Sequence, residues 1–236
     1  MASPTLTARM RRSLGYRGAG RTLRVAVALA GYRLRRGWGA PRPHAFDLEY
    51  GTDTVSLAQA SQYQGGAEGG NGHEPIDTVE FAQLMAPLAG VVEAGGFTFV
   101  DLGSGQGRAL LLASDYPFAR IVGVEHGLEL HQSAERNLAR YRSPRQRCRE
   151  VASVWADATT WELPLQPALF YVCEPFQEAL LRRVAERVRA SLAVHPRPGY
   201  VLYVGSLAAV WEESGGFEAV AAGHESRAYR WRGGGQ

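Results

Sequence analysis

The sequence predicts an α/β fold: a doubly wound, mostly parallel sheet of seven strands whose last two form an antiparallel hairpin. Three observations carry this. Short apolar runs alternate with helical periods between Phe97 and Val204. A glycine-rich turn, Gly103-Ser104-Gly105-Gln106-Gly107, joins the first apolar run to the first of these helices. Two strand-like runs, Phe217 to Ala221 and Ser226 to Trp231, close the chain and are joined through Gly223. Strands that alternate with helices pair in parallel through right-handed crossovers, and two runs joined by a short turn pair antiparallel.

The first strand is the run from Phe97 to Val100, ending in Asp101. Glycines in the turn after it tolerate positive φ and let a ligand approach the backbone without a Cβ in the way. The helix from Ala109 to Ala113 then opens with backbone N–H groups that have no partner inside the helix, so a ligand carboxylate is expected near them. The second strand, Ile121 to Val124, ends in Glu125. Open parallel sheets bind ligands at the carboxyl ends of their strands, which points Glu125 into the same crevice as the glycine turn. A carboxylate there suits the two hydroxyls of a ribose.

Leu128 to Tyr141 reads as an amphipathic helix, with Leu130, Ala134 and Leu138 at helical spacing and Ser143-Pro144 as its stop. Val151 to Trp155 is the third strand, followed by Asp157. Ala168 to Cys173 is the fourth, apolar enough to be buried on both faces, and it ends in Glu174-Pro175-Phe176. A long helix from Ala179 to Val194 and a fifth strand from Tyr200 to Val204 complete the parallel part.

Two cofactor classes use a strand, glycine loop, helix, strand, acid layout. The dinucleotide fingerprint G-x-G-x-x-G needs its third glycine for close helix–strand packing, and Arg108 stands at that position. What stands here is D-x-G-x-G-x-G, Asp101 to Gly107, with an acid after the second strand. In this the chain resembles the class I S-adenosylmethionine-dependent methyltransferases of small bacterial type, from about Phe97 to Trp231. The resemblance implies a Rossmann-like fold with the antiparallel C-terminal edge, S-adenosyl-L-methionine as cofactor, and methyl transfer to an acceptor.

It also implies roles for particular residues. Asp101 would orient the cofactor's ammonium group. Gly103, Ser104, Gly105 and Gly107 would accommodate its methionine part. Glu125 would hold the ribose and Asp157 the adenine amino group. The corner Glu174-Pro175-Phe176 would face the acceptor, with Glu174 as a candidate base. Amino-methylating families often carry an Asn/Asp-Pro-Pro-aromatic corner there; this chain has Glu first and lacks the second proline, so adenine or amide specificity is not carried over. Tyr50 and Glu74, with Asp53 and Thr54 between them, lie in a segment that in such proteins runs beside or over the cofactor.

Three segments follow from composition: a basic extension over 1–45, a lid or helical segment over 46–96, and the methyltransferase-like domain over 97–236. The extension holds ten arginines and no acid. Its apolar stretch, Val25 to Ala30, is far short of the ~20 residues that span a bilayer. The partner that such an extension would attract is anionic, RNA or a membrane surface. Within the second segment, Asp77 reads as the N-cap of a helix to Leu88, with Glu80 as a capping-box partner and Val79, Leu84, Met85 and Leu88 on one apolar face.

All basic residues are arginine, which excludes a lysine nucleophile or phosphate clamp. Two distant cysteines, Cys148 and Cys173, suit a reducing compartment and a cytoplasmic protein. The histidines show no ligand spacing, so no metal site is expected, and His126 and His131 read as solvated helix residues. The methyl acceptor is open: a protein side chain, a small molecule or RNA. The alternative is a non-catalytic protein that keeps the cofactor fold as a scaffold and acts through its basic extension.

Overall fold

The computed structural model describes residues 19–36, 44–55, 76–89, 94–173, 176–223 and 225–233. Contacts divide the chain into two units, Met1–Asp53 and Thr54–Gln236.

The first unit contains helix α1, Ala19–Arg36, and the short helix α2, Ala45–Tyr50. His44 caps α2: its Nδ1 accepts from the Phe46 N–H at 3.1 Å. Gly51 ends it in the left-handed conformation, φ 69°. The Thr52 hydroxyl donates to Asp47 Oδ1 at 2.7 Å, and the rings of Phe46 and Tyr50 pack 4.8 Å apart.

The second unit is a seven-stranded sheet. Its strands are β1 (Thr98–Leu102), β2 (Arg120–Glu125), β3 (Val151–Trp155), β4 (Ala168–Cys173), β5 (Gly199–Val204), β6 (Phe217–Ala222) and β7 (Ser226–Trp231). They lie in the order β3-β2-β1-β4-β5-β7-β6. The first five are parallel; β7 runs antiparallel to both β5 and β6. Between them run α3 (Thr78–Met85), α4 (Arg108–Ala113), α5 (Leu128–Arg140), α6 (Glu178–Val194) and α7 (Ala209–Glu213). The expected strands and the closing hairpin are all present; α7 was not anticipated.

Alternation along the parallel strands divides the core between two faces. On one, Val100, Leu102, Phe170, Val172, Val201 and Tyr203 pack against the apolar side of α6, with Trp211 of α7. On the other, the Phe81 ring meets Phe99, Tyr116 and Tyr171 edge-on, at centroid separations of 6.2, 6.1 and 5.8 Å. Phe99 and Tyr171 stack at 5.8 Å across the β1–β4 pair. These rings hold α3 across the face that also carries Asp101.

The N-cap reading of α3 holds, since Asp77 Oδ1 accepts from the Val79 N–H at 2.8 Å. Its expected extent does not. The α-helix stops at Met85 and continues as a 3-10 turn, Ala86–Leu88. Pro87 has no N–H for a bond back to the preceding turn, so the chain tightens there. Val79 is only half-buried and Glu80 is exposed, whereas Phe81 is sealed.

Gly123, in the middle of β2, leaves the space that the glycine loop and α4 fill. A Cβ there would stand 2.6 Å from Leu110 Cδ1 and 2.7 Å from Ser104 Cβ. Gly123→Ala is therefore expected to destabilise the fold by about 1–3 kcal/mol through overpacking, read as a lower urea midpoint with an unchanged m-value. An unchanged midpoint would mean that Ser104 and Leu110 are not wedged against β2.

Candidate functional site

Asp101 lies between two strands of the same sheet. Its register partners are Gly123 of β2 and Tyr171 of β4. It stands one residue before the carboxyl end of β1, and Glu125 ends β2. The chain between them turns through Gly103, Gly105 and Gly107, all at positive φ (90°, 52° and 85°), where a side chain would strain the backbone. At Gly107 a Cβ would also press on Ala134 of α5, at 3.2 Å.

The loop's donors turn inward. The N–H groups of Gly103 and Ser104 both donate to the Val124 carbonyl, at 2.9 and 3.1 Å, and that of Gly107 to the Ser104 carbonyl at 2.9 Å. The Gly105 N–H donates to Glu125 Oε2 at 2.8 Å, and the Gly127 N–H to Glu125 Oε1 at 2.7 Å. These four loop donors are thus spent within the protein. The lattice of bonds ties the loop to the end of β2, with Glu125 as its clasp.

The electrostatics are unusual for an unliganded crevice. Asp101 is fully buried, and burial pushes its carboxyl well above the ordinary range, with the neighbouring Glu125 charge adding to the effect. Among the described residues no donor or cation is bonded to it. Burial also raises Glu125, against the bonds from Gly127 and Gly105 and the nearby His126, which pull the other way. The Tyr171 hydroxyl beside them is pushed up by burial first, then by Cys173 and Asp101. Two acids out of water, with like charges facing each other, mark a place where a cation would be bound strongly.

Asp157 sits at the end of β3 and is already occupied in part. Its Oδ1 accepts from the Thr159 N–H at 2.7 Å and from the Thr159 hydroxyl at 2.8 Å. Partial burial raises its carboxyl, but these two bonds, together with His126 and Arg183, outweigh it and the net shift is downward. Phe176 packs half-buried against the α6 side of the core. Tyr50 belongs to the first unit. Glu74, Glu174 and Pro175 lie outside the described residues.

Several residues here escaped the sequence reading. Trp155 is 58% exposed although it is a tryptophan on a strand; it is the register partner of Glu125 and its Nε1–H donates to the His126 carbonyl at 2.8 Å. His126 precedes α5 instead of lying on it. His131 is on α5 but not solvated: its Nδ1 lies 2.8 Å from the Ser153 hydroxyl and its Nε2 3.4 Å from Glu135. Arg108, the residue that breaks the dinucleotide fingerprint, is buried and donates through Nε to the Thr54 hydroxyl at 2.6 Å and through Nη1 to the Ile76 carbonyl at 3.4 Å. It anchors the segment before the sheet to the glycine loop. An arginine directly after such a loop, in a buried helical run, was the available signal.

No protein-family model matches the chain, and no curated protein is similar to it in sequence. Solved structures are similar in fold. An RNA methyltransferase from Salinibacter ruber, in complex with S-adenosyl-L-homocysteine, is 18% identical over 69% of this chain and 95% of its own, with a TM-score of 0.46. A predicted N6-adenine-specific DNA methylase from Listeria monocytogenes is 14% identical over 75% of this chain and 54% of its own, at 0.49. A glycopeptide N-methyltransferase is 15% identical over 65% and 94%, at 0.47. The strand order, with its antiparallel last pairs, stands independently of these likenesses.

The sheet itself is a Rossmann-like, doubly wound α/β arrangement. Among the described residues no group of acids, histidines and cysteines is arranged to hold a metal ion, and no helix is long and apolar enough to cross a membrane.

The raised Asp101 carboxyl has a testable sign. A carboxyl whose folded value is raised adds stability below its unfolded value, and that contribution is lost as pH rises through the folded value. At neutral pH, above the ordinary carboxylate range, burial of Asp101 therefore weakens the fold. Asp101→Asn is expected to be more stable than the parent at pH 7, by about 1–3 kcal/mol. The gap should shrink as pH falls toward the ordinary carboxylate range, and urea unfolding across pH measures both. A variant less stable than the parent at pH 7 would show that Asp101 serves the fold.

Proposed function

We propose that the protein is an S-adenosylmethionine-dependent methyltransferase whose cofactor lies over the Gly103–Gly107 loop. The single observation that carries this is the buried, unpaired Asp101 carboxylate beside Glu125 at the mouth of that loop. A dinucleotide brings a pyrophosphate, which needs free N–H groups or a cation; two acids and inward-turned donors oppose it. S-adenosylmethionine brings an ammonium and a sulfonium, which two acids favour.

In this reading Asp101 receives the ammonium, a partner that none of the described residues supplies. Glu125 accepts from the ribose hydroxyls with the lone pairs left free by Gly105 and Gly127. Asp157 has one oxygen committed to Thr159, which leaves the other for the adenine amino group. The exposed face of Trp155 is available for the adenine ring, a stacking contact of about 0.5–1.5 kcal/mol. The glycines keep Cβ atoms out of the methionine part's path.

When bound, the cofactor would supply a methyl group on a positive sulfur, the acceptor's lone pair forming a bond to its carbon as the carbon–sulfur bond breaks and S-adenosylhomocysteine leaves. The chain's own contribution is chiefly to hold both partners in near-attack geometry, worth ~7–11 kcal/mol of barrier. A base is needed only where the acceptor must lose a proton, and Glu174, with Pro175 and Phe176 shaping its corner, is the candidate. The acceptor is a protein side chain, a small molecule or RNA.

Calorimetric titration with S-adenosylmethionine, S-adenosylhomocysteine and NAD tests the proposal. The two adenosyl compounds are expected to bind at micromolar affinity and NAD not at all. Glu125→Ala and Asp101→Ala should each weaken adenosyl binding at least about tenfold, the cost of a lost charge-assisted hydrogen bond. NAD binding alone, or full affinity in both variants, would overturn it. Binding with no turnover on any acceptor would favour the scaffold alternative.

A further inference from the structure

We infer that α1 docks, flat, on an anionic lipid surface. The inference rests on the first unit alone and goes beyond the methyl-transfer reading.

Helix α1 carries an apolar stripe that stands exposed among the described residues. Leu23, Val27, Ala30 and Leu34 recur at spacings that put them on one side of a helix. Leu23, Val27 and Leu34 are 66%, 64% and 86% exposed, and Ala30 is exposed as well. Val25, Leu29 and Tyr32, on the opposite side, are half-buried. Between Leu23 and Leu34, about 17 Å of helix, one side is thus half-buried and the other exposed. Scattered exposed leucines need no explanation; a continuous stripe of them does.

Charge decides what the stripe meets. The helix contains five arginines, at 21, 24, 33, 35 and 36, and no acid. By position, Arg24 and Arg35 fall on one flank of the stripe and Arg33 on the other. The sequence before the helix adds four more arginines, again with no acid. A second copy of the helix would bring the same single-sign charge against itself. RNA would take the arginines but offers nothing to the leucines. An anionic bilayer takes both: the stripe enters the boundary between headgroups and acyl chains, and the net positive charge of the helix is drawn to the headgroup phosphates. The helix lies on the surface and does not cross it, being too charged to do so.

The test is co-sedimentation of the full chain with vesicles of equimolar phosphatidylglycerol and phosphatidylcholine, with pure phosphatidylcholine vesicles and a single-stranded RNA oligonucleotide in parallel. The expected result is partition into the anionic vesicles, at least about tenfold stronger than into phosphatidylcholine. The triple variant Leu23→Gln, Val27→Gln, Leu34→Gln keeps charge and helix propensity and alters only exposed positions. It should lose about tenfold or more of that partition with an unchanged melting temperature and unchanged binding of S-adenosylhomocysteine. Absence of partition, or partition that the triple variant retains in full, overturns the inference. RNA binding with silent vesicles overturns it too, in favour of a nucleic-acid contact.

Discussion

Asp101 is a carboxyl held out of water with a second carboxyl as its neighbour, and the glycine loop, β2 and β4 close around it. Burial and the Glu125 charge both oppose its ionisation. A packed apolar residue at that place on β1 would serve stability better. Its position accounts for the cost. It stands near the carboxyl end of a central strand, where a doubly wound sheet opens its crevice.

The remaining features hold that crevice in shape. The glycine loop is bound down to β2 through the Val124 carbonyl and the Glu125 carboxylate, with Gly123 leaving the space beneath it. The aromatic cluster around Phe81 fixes α3 over the same face. Arg108 ties Thr54 and Ile76 to the start of α4. The surroundings of Asp101 are thus made from segments distant in sequence, each anchored by a short-range contact.

How much of this could be read from the chain alone depended on the range of the interaction involved. The strand, glycine loop, strand and acid from Phe97 to Glu125 were legible because local rules set them: apolar runs, positive-φ glycines, an acid at a strand end. Asp77 capping α3 is likewise local. The inward turn of the loop's N–H groups was not legible, because their acceptor, Val124, lies some twenty residues away. The same holds for His131, which finds Ser153 on another strand, and for Phe81, buried by rings from three other segments. Asp157 was legible as a polar residue after β3, but its bond to Thr159 shows how turn chemistry competes for the same oxygen that a ligand would use.

The central claim is that Asp101 and Glu125 receive a cationic, ribose-bearing ligand. A crystal structure of the protein with S-adenosylhomocysteine tests it most directly. The account predicts the ligand's ammonium within hydrogen-bond reach of the Asp101 carboxylate and its ribose hydroxyls on Glu125. A ligand seated elsewhere, or one in this crevice with its ammonium turned away from Asp101, would contradict it.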